Sequence, residues 1–379
     1  MSKRFAIAQQ YTARHSDEPA RRGRFVAVLK ARAATGLRAA AAAPDAGARR
    51  PTSSSAAQRH LMKIPALECP YLPAVHPAAD DLHERTVAWA QAMGLVRKPE
   101  QIDALRDSRI GHLVARMFPA STDMVALQLA VDWTTLFCCL DDYLEQIHGA
   151  VLIAAYLRGL LGVFRDGRQP PLIDPFSHGF GDLRERMLDL RVPNWIPRFS
   201  ACVERLFDAF IDEAKYRTIN VVPEFASHRQ IRQITVGLYT GFLLGELTER
   251  IVLPPEVLAH ETVRELERAA STIVGLANDI YTVEKEIAKG EVNNTVLVLM
   301  HQDGLSFEEA MAHTVRLHNA EMREFSRLAE NLPHFDDETD RQLRRYVEVL
   351  IAFISGHGDW ARQNGRYDGD AGDGDASQD

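Results

Sequence analysis

Apolar residues recur every three or four positions from about residue 79 to residue 363, and stretches alternating with period two are rare. Such spacing lays one apolar stripe along each of a series of helices. The pattern predicts helices over about 79–94, 122–147, 150–165, 196–217, 226–248, 258–290, 307–330 and 337–363. Gly or Pro punctuates it between Gly94 and Pro99 and at Pro119, Pro170-Pro171, Pro193, Pro223, Pro254-Pro255 and Pro333, where a missing N–H or a permissive backbone ends helical hydrogen bonding. No internal repeat of fixed period is visible. The expected architecture is a single all-α domain over residues 62–368, a helical bundle around its own core.

Composition qualifies this picture mainly at the ends. With 46% hydrophobic residues among 379, the chain can bury a large core. The net charge of −8 conceals an asymmetry: residues 1–60 hold 12 Lys and Arg against 3 Asp and Glu, whereas residues 61–379 hold 32 against 49. An acidic body argues against nucleic acid as a partner, because phosphate-backbone binding needs a basic face. Residues 1–61, rich in Ala, Arg and Ser, read as a disordered extension, or as a reading frame opened ahead of a true start at Met62. The extension lacks the apolar segment of a secretory signal. Residues 369–379 read as an acidic disordered tail. Cys69, Cys138, Cys139 and Cys202 show no metal-type spacing, and a cytoplasmic setting is expected. No apolar run approaches the roughly 18 residues of a membrane span, so no span is expected.

Candidate chemistry lies in two acidic helix segments. Asn278, Thr282 and Glu286 recur at a strict four-residue interval, which on a helix keeps an amide, a hydroxyl and a carboxylate on one face. Helical side chains lean toward the N-terminus, so Glu286 can reach back toward the shorter two. Hard oxygen donors without sulfur or imidazole suit Mg²⁺. The second segment, Asp141-Asp142-Tyr143-Leu144-Glu145, closes a long apolar helix with three acids. Sheltered carboxylates must be solvated, paired or bound to metal. Two such faces across a cavity can hold several divalent cations against a diphosphate leaving group.

The two segments together resemble the bacterial class I terpene synthases. Asp141-Asp142-x-x-Glu145 is similar to that family's first acidic motif, and Asn278 to Glu286 reproduces its Asn-Asp-x-x-Ser/Thr-x-x-x-Glu pattern. Arg232 lies 46 residues before Asn278, where a diphosphate-sensing arginine is expected. Lys285 adjoins Glu286, Arg366-Tyr367 resembles the family's C-terminal Arg-Tyr pair, and Trp360 precedes that pair by six residues. The resemblance covers about residues 62–368 and implies a single-domain class I helical bundle around a central active-site cavity.

It further implies a Mg²⁺-dependent lyase that ionises a linear prenyl diphosphate, farnesyl diphosphate first among candidates, and cyclises the carbocation to a terpene hydrocarbon or alcohol. Three Mg²⁺ ions are implied, with Asp141 bridging two and Asn278, Thr282 and Glu286 holding the third. Asp142 and Glu145 are implied either as ligands or as partners of the sensor arginine or of metal-bound water. Asp279 and Glu284 point elsewhere on the helix, as solvated or paired groups. Arg232, Lys285, Arg366 and Tyr367 are the implied diphosphate donors, with the sensor open to a shift of one turn toward Arg229 or His228. Gly237 marks either a helix break whose carbonyl steers the cation or a close helix contact. Phe137, Trp133 and Trp360 are candidate pocket rings for cation–π stabilisation. None of the 14 histidines is given a role. A homodimer is common in the family. A chain-elongating prenyl diphosphate synthase and an inactive helical scaffold of the same fold are the alternatives.

Overall fold

A computed structural model describes residues 66–363 apart from 148, 171, 220, 290 and 292. The N-terminal extension, the acidic tail and the Arg366-Tyr367 pair therefore lie outside the described residues. Fourteen helices and no strand occur among those described. In chain order they are α1 (Ala79–Met93), α2 (Pro99–Ser108), α3 (Ile110–Met117), α4 (Met124–Leu144), α5 (Ala150–Asp166), α6 (Pro175–Asp189) and α7 (Trp195–Ile219). The second half comprises α8 (Phe225–Thr235), α9 (Leu238–Thr248), α10 (Pro255–Leu258), α11 (Glu261–Lys289), α12 (Thr295–Gln302), α13 (Phe307–Glu330) and α14 (Asp337–Gln363).

The long amphipathic helices stand where periodicity places them, and the shorter ones were not anticipated. Helix α2 is mostly polar, so its start is fixed by Pro99 at the first helical position and by Gln101 reaching back to the Lys98 N–H, not by an apolar stripe. Helix α6 follows Pro170-Pro171 and opens on Pro175; Asp174 accepts from the Ser177 N–H while Ser177 accepts from the Asp174 N–H, a reciprocal cap that starts it. Helix α12 is nearly all apolar and short, and Asn294 caps it through the Val296 N–H.

Residues 226–248 are expected as one helical stretch with Gly237 as a candidate break. The structure breaks it into α8 and α9 at Gly237, whose φ is +81°. A residue with a Cβ is strained there, and a Cβ would also meet the Phe137 ring at 2.7 Å.

Helix α4 is the axis of the bundle. It packs against α1, α6 and α9, while α11 packs on α13 and α14 behind the opposite wall. Its apolar faces join a continuous core containing Leu127, Leu136, Phe164, Phe199 and Leu350, all essentially inaccessible. By length and composition α4 could also cross a membrane, with a mean hydropathy of 1.3, which corrects the expectation that no run reaches that size. Since 56% of that stretch is buried inside the bundle, its apolar surface is accounted for by core packing.

Candidate active site

Helices α4 and α11 bring their acidic segments to one cavity of about 240 Å³, walled also by α8, α9 and α14. Asp141, Asp142, Glu145, Asn278, Thr282, Lys285, Glu286 and Arg232 all line it. Trp133, Phe137, Gly237, Phe353 and Trp360 line it as well, so one space has a charged portion and an aromatic portion. A second recess of about 110 Å³ shares Asp141, Glu145, Arg232, Asn278 and Glu286 and adds Glu213 and Arg217 from α7.

The α11 side is internally wired. Thr282 Oγ1 bonds to the Asn278 carbonyl at 2.9 Å and to Glu286 Oε1 at 2.7 Å, so the four-residue interval does bring hydroxyl and carboxylate together. Glu286 Oε2 is buried with no hydrogen-bond partner among the described residues. Burial, followed by the Asp279 charge, pushes the Glu286 carboxyl above its ordinary range. An orphaned buried carboxylate oxygen beside an amide and a hydroxyl fits a divalent cation, which would supply the missing partner.

Arg232 ties this face to α8. Its guanidinium donates to Asn278 Oδ1 at 2.5 Å and to Asp279 Oδ1 at 2.8 Å. Asp279 is wholly inaccessible and paired, and it accepts from the Thr295 N–H at 2.9 Å and hydroxyl at 2.6 Å. Burial alone would raise its pKa, but Arg232 first and then His228 hold the carboxyl well below the usual range. Asp279 thus fastens α8, α11 and the start of α12 together behind the ligands. His228 bonds to Thr295 and Arg229 pairs with Glu321 away from the cavity, so Arg232 is the one of the three that faces it.

The α4 side is held differently. Asp141 sits in the last turn of α4, Asp142 is exposed, and Glu145 caps the helix through its N–H to the Asp141 carbonyl at 3.2 Å. Burial foremost, then the charges of Glu213, Glu145 and Asp142, push Asp141 up to about 8, with Arg232 opposing them. Crowded carboxylates without a matching cation are the electrostatic imprint of a cation site. No three His, Cys, Asp or Glu side chains among the described residues form a ready-made cage. The oxygens come instead from two facing helices and include neutral donors, a set that suits Mg²⁺ with water and phosphate completing its shell.

Glu213 escaped the sequence reading. It accepts from the Thr235 hydroxyl at 2.9 Å, two residues before the Gly237 break, and burial raises its pKa against the lowering effect of Arg232. Its signal was present: Phe199, Val203, Leu206 and Phe210 form the buried stripe of α7, and the next two stripe positions are Glu213 and Arg217. Charged residues where periodicity demands apolar ones mark a site. Arg217 donates to the Leu144 carbonyl at 3.2 Å and so steadies the end of α4.

The aromatic portion is fixed with equal care. The Phe137 ring lies against Gly237 and near-parallel to Phe210, with centroids 6.0 Å apart. The Trp133 indole donates to Thr240 Oγ1 at 3.1 Å, and Thr240 donates to the Gly237 carbonyl at 2.7 Å. Gly237 therefore makes both the break and the close contact weighed from sequence. Trp360 donates to the Arg109 carbonyl at 3.2 Å, which orients its ring at the cavity wall.

With this geometry in place, the kinship of the chain is informative. Residues 132–324, just over half of the chain, match the family model for terpene synthase family 2, C-terminal metal binding. The chain belongs to the terpene synthase family. The synthase is 33% identical over 308 residues to a (+)-T-muurolol synthase of Roseiflexus castenholzii, a match spanning 79% of this chain and 92% of the relative. It is 31% identical over 310 residues to 10-epi-cubebol synthase of Sorangium cellulosum, spanning 80% and 97%. The solved structure of a-eudesmol synthase superposes with a TM-score of 0.71 at 21% identity, covering 79% of this chain and 99% of that one, a likeness of fold. The expected all-α class I bundle is the fold this enzyme has.

Proposed function

We propose that this synthase ionises a linear prenyl diphosphate of farnesyl length and cyclises the resulting carbocation, with three Mg²⁺ ions gripping the diphosphate. The observation that carries this reading is the joining, in one cavity, of acidic groups from α4 and α11 with aromatic rings. The farnesyl length rests on relatives such as the (+)-T-muurolol synthase, described as cyclising (2E,6E)-farnesyl diphosphate.

Asp141, with Asp142 and Glu145 beside it, would hold cations from the α4 side, and Asn278, Thr282 and Glu286 would hold one from α11. What Mg²⁺ supplies when bound is neutralisation of the diphosphate charge as the C–O bond breaks. Arg232 and Lys285 donate to the departing diphosphate oxygens, as do Arg366 and Tyr367 on this reading. For Arg232 this requires exchanging the Asn278 amide oxygen for a diphosphate oxygen, which leaves Asn278 free to serve a cation. Phe137 and Trp360 keep water from the cation and offer it ring faces. The cytoplasm is the setting this reading expects, and a homodimer is compatible with it.

The test is incubation of purified protein with geranyl, farnesyl and geranylgeranyl diphosphates, with and without Mg²⁺, followed by gas chromatography–mass spectrometry. Cyclic products from farnesyl diphosphate, formed only with the metal, are expected. Metal-independent turnover, or none with any of the three, sinks the proposal. Longer prenyl diphosphates formed with added isopentenyl diphosphate would make the protein an elongase instead.

A further inference from the structure

One close contact shapes the cavity away from the cation ligands. Asp141, Phe137 and Trp133 follow at one-turn intervals on α4, about 12 Å in all at 1.5 Å per residue. Helix α9 runs beside them in the opposite sense: Gly237 lies against the Phe137 ring, and Thr240 accepts from the Trp133 indole at 3.1 Å. Gly241, next in the chain, therefore stands about two helical turns from Asp141. It lines the cavity together with Phe353 of α14. A Cβ on Gly241 would meet the Phe353 ring at 2.6 and 2.8 Å, so the ring is seated on bare backbone. Two further rings hold it there edge-on, Phe118 at 5.3 Å and Phe242 at 5.4 Å between centroids. Gly241 lies within α9 and is not among the residues of positive φ, so its backbone does not call for glycine. Glycine weakens a helix interior relative to alanine, and the seated ring is the reason for it here.

We propose that the contact of Gly241 with Phe353 sets how long a prenyl chain the cavity takes, holding it at fifteen carbons. This inference deepens the reading that a prenyl diphosphate is ionised here, and it rests on that reading. With the diphosphate held beside Asp141, the last isoprene unit of the chain lies toward Trp133 and Gly241. The ring drawn back onto Gly241 leaves room for that unit. A methyl group on Gly241 would lift the ring, and with Phe118 and Phe242 packed against it the ring yields into the cavity it borders. A control for this contact is built into the same pair of helices. One turn further along α9, a Cβ on Gly245 would meet Val349 of α14 at 2.8 Å, yet neither Gly245 nor Val349 borders the cavity. The same steric defect can thus be made with and without access to the substrate.

The experiment measures diphosphate release from geranyl, farnesyl and geranylgeranyl diphosphates with Mg²⁺, alongside thermal melting. Wild type is compared with Gly241→Ala, Gly245→Ala, Phe353→Leu and the double variant G241A/F353L. G241A should lower farnesyl turnover relative to geranyl about tenfold, the size of effect that small changes of fit in an apolar pocket produce. In the F353L background the same substitution should change that ratio by less than about threefold, because the smaller side chain makes room for the methyl group. G245A should melt earlier than wild type and keep its ratio. A folded G241A with the wild-type ratio overturns the proposal. An equal effect of G241A in both backgrounds also overturns it, and so does a G245A that shifts the ratio as far, by assigning the change to loosened packing. Should G241A fail to fold, Phe353→Ala carries the test in the other direction: geranylgeranyl turnover should rise about tenfold relative to farnesyl, and an unchanged ratio overturns the proposal. Wild type releasing diphosphate from none of the three overturns the proposed function and this inference with it. Wild type that cyclises farnesyl diphosphate beside an indifferent G241A overturns this inference alone.

Discussion

The two ligand faces of the cavity are built on opposite principles. On α11, Thr282 and Glu286 bond to each other, Arg232 clamps Asn278, and buried Asp279 locks three helices behind them. On α4, Asp141 stands among like charges from Glu213, Glu145 and Asp142 at a helix end. One face is organised by the fold; the other stores repulsion that a cation relieves. The difference teaches that acidic residues of one site need not share one energetic role. Asp279 on α11 stabilises the protein through its buried pairing, whereas ionised Asp141 on α4, and Glu286 on α11 to a lesser degree, detract from its stability until ligands arrive.

The sharpest way to break this comparison is a pair of substitutions. Asp141→Asn should cost on the order of 10²–10³ in turnover, as loss of a charge-stabilising group does, while the metal-free melting temperature stays level or rises. Asp279→Ala should instead destabilise by about 3–5 kcal/mol, because Arg232 and the Thr295 N–H lose their buried partner. Denaturant melts and steady-state kinetics on both variants decide it. Equal destabilisation of the two would erase the contrast.

A smaller effect is expected where the faces meet. Gly237→Ala places a Cβ 2.7 Å from the Phe137 ring at a φ of +81°, so it should cost about 1–3 kcal/mol. Because Phe137 lies one turn before Asp141 on α4, the substitution should also alter product ratios. Melting curves with product analysis read both, and an unperturbed variant would show that the break tolerates a side chain.

The smallest effect uses another buried carboxylate of α11. Glu267 accepts from the Tyr346 hydroxyl at 2.6 Å, and burial foremost, with Glu246 adding to it, pushes its pKa up to about 7. A raised acid binds more protons folded than unfolded between about 4.5 and 7. Its contribution therefore lowers stability as pH rises through that window. Glu267→Gln keeps an acceptor for Tyr346 and removes the titration, so its melting temperature should decline less from pH 4.5 to 7 than that of wild type. Parallel pH profiles would place the penalty elsewhere.

Much of this molecule was legible from its chain. Period-3.6 stripes locate the long helices, and the intervals 141–145 and 278–286 put oxygen donors on single helix faces, because both depend only on the local geometry of 3.6 residues per turn. The polar helix α2 was not legible, since a cap and not a stripe defines it, whereas α6 carries a stripe of Phe176, Phe180, Leu183 and Met187 that the reading missed. The place of Glu213 beside Asp141, the retreat of Asp279 behind Arg232 and the seat of Phe353 on Gly241 were decided by tertiary structure. Each depends on which helices face one another across the bundle, and that is set by the packing of whole apolar faces. Periodicity gives a residue its side of a helix; only the neighbouring helix decides whether that side meets core, cation or substrate.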